Sequence, residues 1–505
     1  MADFASPYRV QNRCREADQV AGSTQLGQTH LRRPRTSAIV RKFVESFVLL
    51  GIGLALVRVF LAEAYVVPSG SMAPGLLGVH TDRICPRCQI VFDLGLEGET
   101  SDLGKPVCPN CGNPDVEGAF QTLSEGDRVL VQKHFYAFRA PRRWEVAVFS
   151  GPEGNGQPFV KRVAGLPGEE VQIRDGDLYI NGRIQPKSLA EQRAVRVLVY
   201  DHDHQPADYA FNPRWIVHGG NKSGEESTTT WQPIPGGFQA QGKGQPAEET
   251  DWLSYRHWQP DREATGPIRD YLSYNGVGLG GDYRVEDLML ETEVALSEPD
   301  QPILFTLGRG RDRLEVALSA GAGAQPEVRQ NGQRVVICPG PGKLQVSAGG
   351  ALRFTRVEVS YFDHRLLVAM NGQLAFDPVD FPTQDSGPPS PAPVLAIGVR
   401  GGAATVRHLR VFRDIYYTPQ LSGLFQPGFG VAKPYQLGPD EYFLLGDNSE
   451  ISHDSRFWST GPVVRREEFI GKPILVHLPG RMRPWFWLGR APFWVPDFRE
   501  IRYIR

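Results

Sequence analysis

The sequence has little cysteine, almost no net charge and few long apolar runs. Six cysteines in 505 residues are too few for a fold built on disulfides. Fifty-five basic side chains nearly balance 57 acidic ones, and a net charge of −2 argues against a protein that binds nucleic-acid phosphates. Together, these shortages exclude a disulfide scaffold and disfavour a nucleic-acid partner.

What the chain does contain is typical of a large globular protein. Hydrophobic residues make up 41% and charged residues 22%, a balance that excludes a largely disordered chain. The length of 505 residues predicts roughly two to four domains. The 55 glycines and 41 prolines predict many turns, and therefore a mainly β fold.

The N-terminal region predicts a basic tail followed by a membrane span. Residues 1–42 carry eight basic and three acidic side chains and show no apolar period. Residues 43–62 form an apolar run whose twenty residues match the thickness of a bilayer core. The basic tail predicts a cytoplasmic N-terminus with the remaining chain outside the cytoplasm. A buried core helix and a cleaved signal sequence are the alternatives.

Two later segments carry residues that could cooperate in nucleophilic catalysis. Ser69 and Ser71 lie in S-G-S-M directly after the apolar run, although Ser-Gly pairs usually form turns. Lys161 stands in a strand-like apolar run, where burial would favour the neutral amine. A neutral Lys can deprotonate a Ser hydroxyl, which makes a Ser–Lys dyad possible without His.

Four motifs, in this order, resemble the bacterial type I signal peptidase (leader peptidase) family. They are P-S-G-S-M at 68–72, G-D-R-V-L-V-Q-K at 126–133, K-R-V-A-G-L-P-G at 161–168 and G-D-N-S-E-I-S-H-D-S-R at 446–456. The resemblance implies a β-rich catalytic core assembled from 63–78, 122–185 and 431–505. It also implies an inner-membrane enzyme, with no catalytic cofactor, that cleaves secreted preproteins after small residues at the −1 and −3 positions.

The resemblance also implies a role for each matched residue. Ser71 aligns with the nucleophile and Lys161 with the general base. The Ser69 hydroxyl and the Ser71 backbone N–H would form the oxyanion hole, and Ser452 would orient the Lys amine. The expected supporting ion pairs use Arg162, Asp447, Asp454 and Arg456. An extended substrate could add to a strand edge, with pockets lined by Val66, Val67, Pro68, Met72, Phe159 and Val160.

An insertion at 79–121 carries two C-P-x-C pairs. Cys85 and Cys88 form the first pair, and Cys108 and Cys111 the second. This spacing is typical of a Cys₄ zinc ribbon, in which four thiolates hold a structural Zn²⁺. Two disulfides are the alternative, because the predicted compartment is oxidising.

A second insertion, 186–430, separates Lys161 from the last motif. Between 283 and 418 short alternating segments recur, and Asn371-Gly372 is a hairpin signal. They predict an antiparallel, jelly-roll-like β-sandwich of unknown ligand. Two other functions are possible: a membrane-tethered binding protein with a degenerate peptidase core, or a self-cleaving regulator that shares the dyad.

Overall fold

The computed structural model describes most of the chain outside the N-terminal tail. The described residues are 35–56, 61–96, 106–114, 116, 123–152, 156–206, 212–218, 230–242, 249–259, 262–276, 281–321, 323–347, 351–382, 394–420, 428–485 and 493–504. The predicted tail at 1–42 therefore lies mostly outside the described residues. The chain divides into two compact units, Met1–Val57 and Arg58–Arg505.

The first unit is described as a single helix, Arg35–Leu56. Apolar side chains between 39 and 52 are exposed, among them Phe43, Phe47 and Leu49. The prediction placed a spanning helix at 43–62, but residues 57–60 lie outside the described part and strand Ala62–Val66 follows them. None of the described helices has both the length and the apolar character needed to cross a bilayer.

The second unit contains the other described helical segments, all of them short. These are the α-helices Phe135–Phe138 and Leu189–Val195 and the 3₁₀ helices Gly70–Met72, Ser273–Asn275, Arg466–Glu468 and Phe498–Glu500. Strands dominate the remainder, so the prediction of a mainly β fold is confirmed.

An antiparallel sheet, here called the core sheet, contains strands from all three pieces of the predicted catalytic core. Its strands are Ala62–Val66, Arg128–Lys133, Phe469–Leu478, Val146–Ser150, Pro158–Gly165, Glu441–Leu445 and Val464–Arg465, with Arg502–Tyr503 beside Phe469–Leu478. Strands far apart in the chain are neighbours in this sheet. Segments from 62 to 503 therefore converge on one scaffold.

Four smaller sheets accompany the core sheet among the described residues. One contains Arg183–Ile184, Asp177–Ile180, Glu170–Arg174 and Tyr435–Gln436, and another contains Val91–Gly95, His80–Ile84 and Leu123–Ser124. Two-stranded ribbons are formed by Trp258–Gln259 with Ala264–Thr265, and by Met482–Trp485 with Phe493–Pro496.

The large insertion folds as two sheets that share one hydrophobic core. The first contains Val197–Asp201, Trp231–Ile234, Gly237–Ala240, Leu288–Leu296, Thr355–Phe362, Arg365–Met370, Gln373–Leu374, Val379–Asp380 and Ala404–Arg413. The second contains Trp215–His218, Asp251–Tyr255, Ile303–Arg309, Asp312–Leu318, Glu327–Gln330, Gln333–Val335 and Leu395–Val399. Buried side chains of both sheets, such as Leu290 and Phe305, belong to one cluster.

The sandwich starts earlier in the chain than the predicted 283–418. Five of its strands come from 197–255, before the segments in which the sequence predicts a sandwich. These strands have four or five residues, too few for an alternating pattern to stand out. The hairpin signal at Asn371-Gly372 is confirmed: φ is positive at both residues, and Met370 pairs with Gln373.

Candidate active site

The Ser71 loop, residues 67–79, follows the edge strand of the core sheet. Strand Ala62–Val66 pairs with Arg128–Lys133, and the chain then turns into the 3₁₀ helix Gly70–Met72. Met72 is fully buried and Ser71 is 7% exposed, so the helix presents the hydroxyl inside the protein.

Strand pairing brings the other two segments to this loop. Lys161 lies in strand Pro158–Gly165, opposite Ala147 of the neighbouring strand, as its apolar run predicts. Strand Glu441–Leu445 pairs with the other edge of the same strand, with Leu445 opposite Arg162. The motif that begins at Gly446 therefore starts beside Lys161.

Ser71 and Lys161 are in direct contact. The Lys161 Nζ lies 2.5 Å from the Ser71 Oγ, a hydrogen-bonding distance, across a sequence separation of 90 residues. Lys161 is 3% exposed, so its amine is almost completely removed from water. Burial of this kind favours the neutral form of an amine over the charged form. A Lys must be neutral to act as a base.

The two other predicted serines lie close to Ser71 or its backbone. The Ser69 Oγ is 3.3 Å from the Ser71 Oγ. The Ser452 Oγ is fully buried and has no hydrogen-bond partner among the described residues. A Cβ at Gly446 would collide with both the Ser452 hydroxyl and the Ser71 carbonyl, so only glycine fits between them. The structure thus brings Ser452 to the Ser71 loop without the predicted hydrogen bond to the amine.

Two buried ion pairs hold the surrounding backbone. The Arg162 Nε and Nη2 donate to the two Asp447 oxygens at 2.8 and 2.6 Å. Burial opposes the Arg162 charge, but Asp447 outweighs it and keeps the guanidinium pKa above its usual value. Arg456 similarly outweighs the effect of burial on Asp454 and lowers the pKa of that carboxyl.

The residues predicted to line substrate pockets divide into two groups. Pro68 and Val66 are exposed, and Phe159 and Val160 are partly buried near the start of the Lys161 strand. Val67 and Met72 instead pack in a hydrophobic cluster with Val129 and other core side chains. The four exposed or partly buried residues can contact a peptide directly, whereas the side chains of Val67 and Met72 pack beneath the Ser71 loop.

Asn448 is a site residue that the sequence interpretation did not single out. Its backbone N–H donates to the Ser71 carbonyl at 3.0 Å, and its Nδ2 donates to the Gly70 carbonyl at 3.1 Å. The sequence feature that could have indicated Asn448 is its position in the Gly446-Asp447-Asn448 turn of the last motif. Asn448 therefore ties the last motif to the backbone of the Ser71 loop.

The four predicted cysteine ligands converge in a small core of their own. The Cys85–Cys111 and Cys88–Cys108 sulfur atoms are 3.5 and 3.6 Å apart, and all four sulfurs are free thiols that lie within 4.8 Å of one another. All four are nearly or fully buried, together with Ile90, Phe92 and Val116.

The two C-P-x-C turns share one backbone design. The residue after each pair, Gln89 or Gly112, has a positive φ and donates its N–H to the carbonyl of Cys85 or Cys108. Zn–S bonds of ~2.3 Å in a tetrahedron place sulfur atoms ~3.8 Å apart, close to the distances observed. The cluster therefore fits a tetrahedral metal and leaves no thiolate outside it.

Comparison with known proteins finds a likeness to signal peptidases over part of the chain. A profile described as "Signal peptidase, peptidase S26" matches residues 114–235 and 423–478, which include Lys161 and Ser452. Several relatives carry the name signal peptidase I, including one from Leptolyngbya laminosa that is 33% identical over 132 residues. Over these residues the chain is similar to the type I signal peptidase family. The Ser71 loop lies outside the residues that the profile matches.

The likeness to individual signal peptidases is partial. The Leptolyngbya match covers 24% of this chain and 59% of the relative. "Signal peptidase I V" from Bacillus subtilis is 39% identical over 14% of this chain and 40% of its own. "Thylakoidal processing peptidase 1, chloroplastic" from Arabidopsis thaliana is 26% identical over 23% of this chain and 35% of its own. The chain therefore spans about a third to three fifths of these relatives' lengths.

Solved structures offer only distant likenesses. The carbohydrate binding module CBM66 from Bacillus subtilis aligns with a TM-score of 0.24 and 10% identity, over 39% of this chain and 93% of that chain. The Caenorhabditis elegans galectin LEC-6 aligns with a TM-score of 0.18 and 15% identity, over 25% of this chain and 83% of that chain. At these scores the likeness assigns no function to any part of the chain.

Proposed function

We propose that this chain is a signal-peptidase-type serine endopeptidase with Ser71 as nucleophile and Lys161 as general base. The observation that carries the proposal is the 2.5 Å contact between the buried Lys161 Nζ and the Ser71 Oγ. Similarity to signal peptidases supports a peptidase reaction, and the proposed reaction uses no metal or organic cofactor.

The proposed reaction uses one proton carrier throughout. Neutral Lys161 accepts the Ser71 hydroxyl proton while Oγ attacks the scissile carbonyl carbon. The resulting oxyanion accepts hydrogen bonds from the Ser71 backbone N–H and the Ser69 hydroxyl. Lys161 then protonates the leaving amine, and the C–N bond breaks to give an acyl-enzyme. Water, deprotonated by Lys161, hydrolyses the ester and restores the serine.

We propose that the substrates are secreted preproteins, cleaved where the signal peptide ends. Strand Ala62–Val66 is an edge of the core sheet, and its open backbone groups suit the addition of an extended peptide. Pro68, Phe159 and Val160 lie exposed or partly exposed near the dyad, where small residues at −1 and −3 would be read.

We also propose that the N-terminal segment anchors the enzyme to a membrane, with the catalytic part outside the cytoplasm. Exposed apolar side chains on helix Arg35–Leu56 support a lipid contact, since such a surface is unfavourable in water. A reporter fused after residue 150 should be extracytoplasmic and one fused at residue 20 cytoplasmic. Recovery of the full chain in the soluble fraction would contradict the anchor.

We propose a structural Zn²⁺ at Cys85, Cys88, Cys108 and Cys111. The near-tetrahedral sulfur spacing supports this assignment. With all four positions occupied by thiolates, the metal would have no open position for substrate, so its contribution is to folding.

The test of the peptidase proposal compares wild type with Ser71→Ala and Lys161→Ala on a signal-peptide substrate. Each variant should lose cleavage, and the double variant should be no worse, because the two groups act as one unit. The wild-type rate should rise with pH, since only the neutral amine accepts the proton. Full activity in Lys161→Ala would reject the dyad.

A further inference from the structure

The large insertion reaches the Ser71 loop through one short turn. The 3₁₀ helix Ser273–Asn275 belongs to the insertion, outside the sandwich sheets. Tyr274 and Asn275 are 3% and 4% exposed. Tyr274 packs in a small cluster with Ala73 and Leu77 of the Ser71 loop. The turn is therefore part of the environment of the nucleophile, although it lies 200 residues away in the chain.

Tyr274 supports one side of the loop. Its ring lies so close to Gly70 and Gly95 that a Cβ at either position would collide with it. Its hydroxyl donates to the Val79 carbonyl at 3.1 Å. A single side chain thus contacts the residue before the nucleophile and the end of the same loop.

Asn275 supports the loop through a second residue. The Asn275 Nδ2 donates to the Asn448 Oδ1 at 2.9 Å, and the Asn448 Nδ2 donates back to the Asn275 Oδ1 at 2.6 Å. This reciprocal pair fixes the Asn448 amide, whose Nδ2 also reaches the Gly70 carbonyl at 3.1 Å. Asn448 in turn holds the Ser71 carbonyl through its backbone N–H.

We propose that Tyr274 and Asn275 are positioning residues that hold the Ser71 loop in its reactive geometry. The inference rests on the proposed peptidase function and deepens it. Both residues act through other groups, Tyr274 through Gly70 and Asn275 through Asn448. A nucleophile displaced by ~1 Å can lose ~10²-fold in rate, so support of this kind acts on the chemical step. The insertion is then a working part of the active site as well as a separate sandwich.

The first experiment measures kcat and KM for purified full-length variants on a signal-peptide substrate. Asn275→Ala and Tyr274→Leu should lower kcat by about ten- to hundredfold and change KM by less than about threefold. Tyr274→Phe keeps the ring against Gly70 and should recover most of kcat. Leu366→Ala, in the sandwich core, is the matched control from the same insertion and should leave kcat unchanged.

A double variant tests the route through Asn448. If Asn275 acts by fixing the Asn448 amide, Asn275→Ala combined with Asn448→Ala should be no slower than Asn448→Ala alone. Additive losses in kcat would overturn that route. Folded Asn275→Ala and Tyr274→Leu variants with wild-type kcat, or with KM changes alone, would overturn the positioning role.

Hydrogen exchange separates this inference from the peptidase proposal. The Asn448 N–H donates to the Ser71 carbonyl, so its exchange reports on the loop without any substrate. Asn275→Ala should speed exchange at this amide by at least about tenfold, whereas Leu366→Ala should not. If wild type cleaves nothing but exchange still rises in Asn275→Ala, the peptidase proposal fails and the loop support stands. Unchanged exchange overturns the inference even in an active enzyme.

Discussion

Arg162 and Asp447 form a two-point ion pair that joins the Lys161 strand to the last motif. Their side chains are 3% and 2% exposed, and 285 residues separate them in the chain. Arg162 also donates to the Trp144 carbonyl at 2.6 Å. The pair therefore holds together the two segments that flank the Ser71 loop.

Loss of Asp447 should be far more costly than loss of an exposed partner. Asp447→Ala leaves a buried guanidinium without its carboxylate, and we expect a cost of about 3–5 kcal/mol in unfolding free energy. Asp380→Ala breaks the more exposed Arg365–Asp380 pair and should cost at most about 1 kcal/mol. Denaturant unfolding of both variants measures the difference, and similar midpoints would show that the buried pair adds nothing special.

Ser452 should affect activity more than stability. Its buried hydroxyl has no hydrogen-bond partner among the described residues, so Ser452→Ala should change the unfolding free energy by less than about 1 kcal/mol. We expect cleavage to fall in this variant, although less than in Lys161→Ala, if the hydroxyl orients the amine during the reaction. Wild-type cleavage by Ser452→Ala would remove that role.

Ser455 is the matched control for Ser452. It is equally buried, but its Oγ accepts the Leu444 N–H at 2.8 Å. Ser455→Ala removes that acceptor and should cost about 1–3 kcal/mol in unfolding free energy. Thermal unfolding of the two variants side by side distinguishes a hydroxyl that stabilises the fold from one that serves the reaction.

Glu450 should make stability fall as pH rises from about 5 to 7. Burial is the largest cause that raises the pKa of this carboxyl to about 7, and Asp270 and Asp282 add to it, against the hydrogen bond from Asn275 and the charge of Arg413. Between the unfolded and folded pKa values the folded state binds more protons, so its stability falls with pH.

The glutamine variant tests this pH dependence. Glu450→Gln keeps an oxygen for Asn275 and should be more stable than wild type above pH 7, by at most roughly 3 kcal/mol. The advantage should shrink toward pH 5, where the wild-type carboxyl is protonated. Glu467→Gln, at an exposed position, should show no such difference when melting temperatures are recorded across this range.

Removal of one thiolate should release metal and loosen the contact between the cysteine cluster and the large insertion. Asn110, between Cys108 and Cys111, donates to the Asp201 and His204 carbonyls at 3.1 and 2.7 Å. Cys108→Ser should therefore lower zinc from about one per chain to near zero. Activity should fall in part, because the Ser71–Lys161 contact does not involve the cluster.

Two further measurements decide between zinc and disulfides. Cys338→Ser, which alters an exposed cysteine outside the cluster, should keep its zinc. Mass spectrometry should find four reduced cluster thiols after the metal is removed. Four oxidised sulfurs and no zinc would establish the disulfide alternative.

The sequence alone predicted the candidate site residues that lie in short motifs. Ser71, Lys161 and Asp454 stand in segments of a few residues, and the two cysteine pairs have a spacing set by a local turn. Such features depend on covalent neighbours, so they can be read without knowing the fold. The mainly β character followed in the same way from turn residues and alternating segments.

Tertiary structure decided which distant segments meet and which residues support them. The Ser71–Lys161 contact depends on strand order in the core sheet, and the start of the sandwich depends on short strands that pair across the insertion. Tyr274 and Asn275 carry no sequence signal, because a side chain that packs on a loop 200 residues away leaves no local periodicity. Register between strands and packing between segments are set only when the whole chain folds, because they depend on many weak contacts between distant segments.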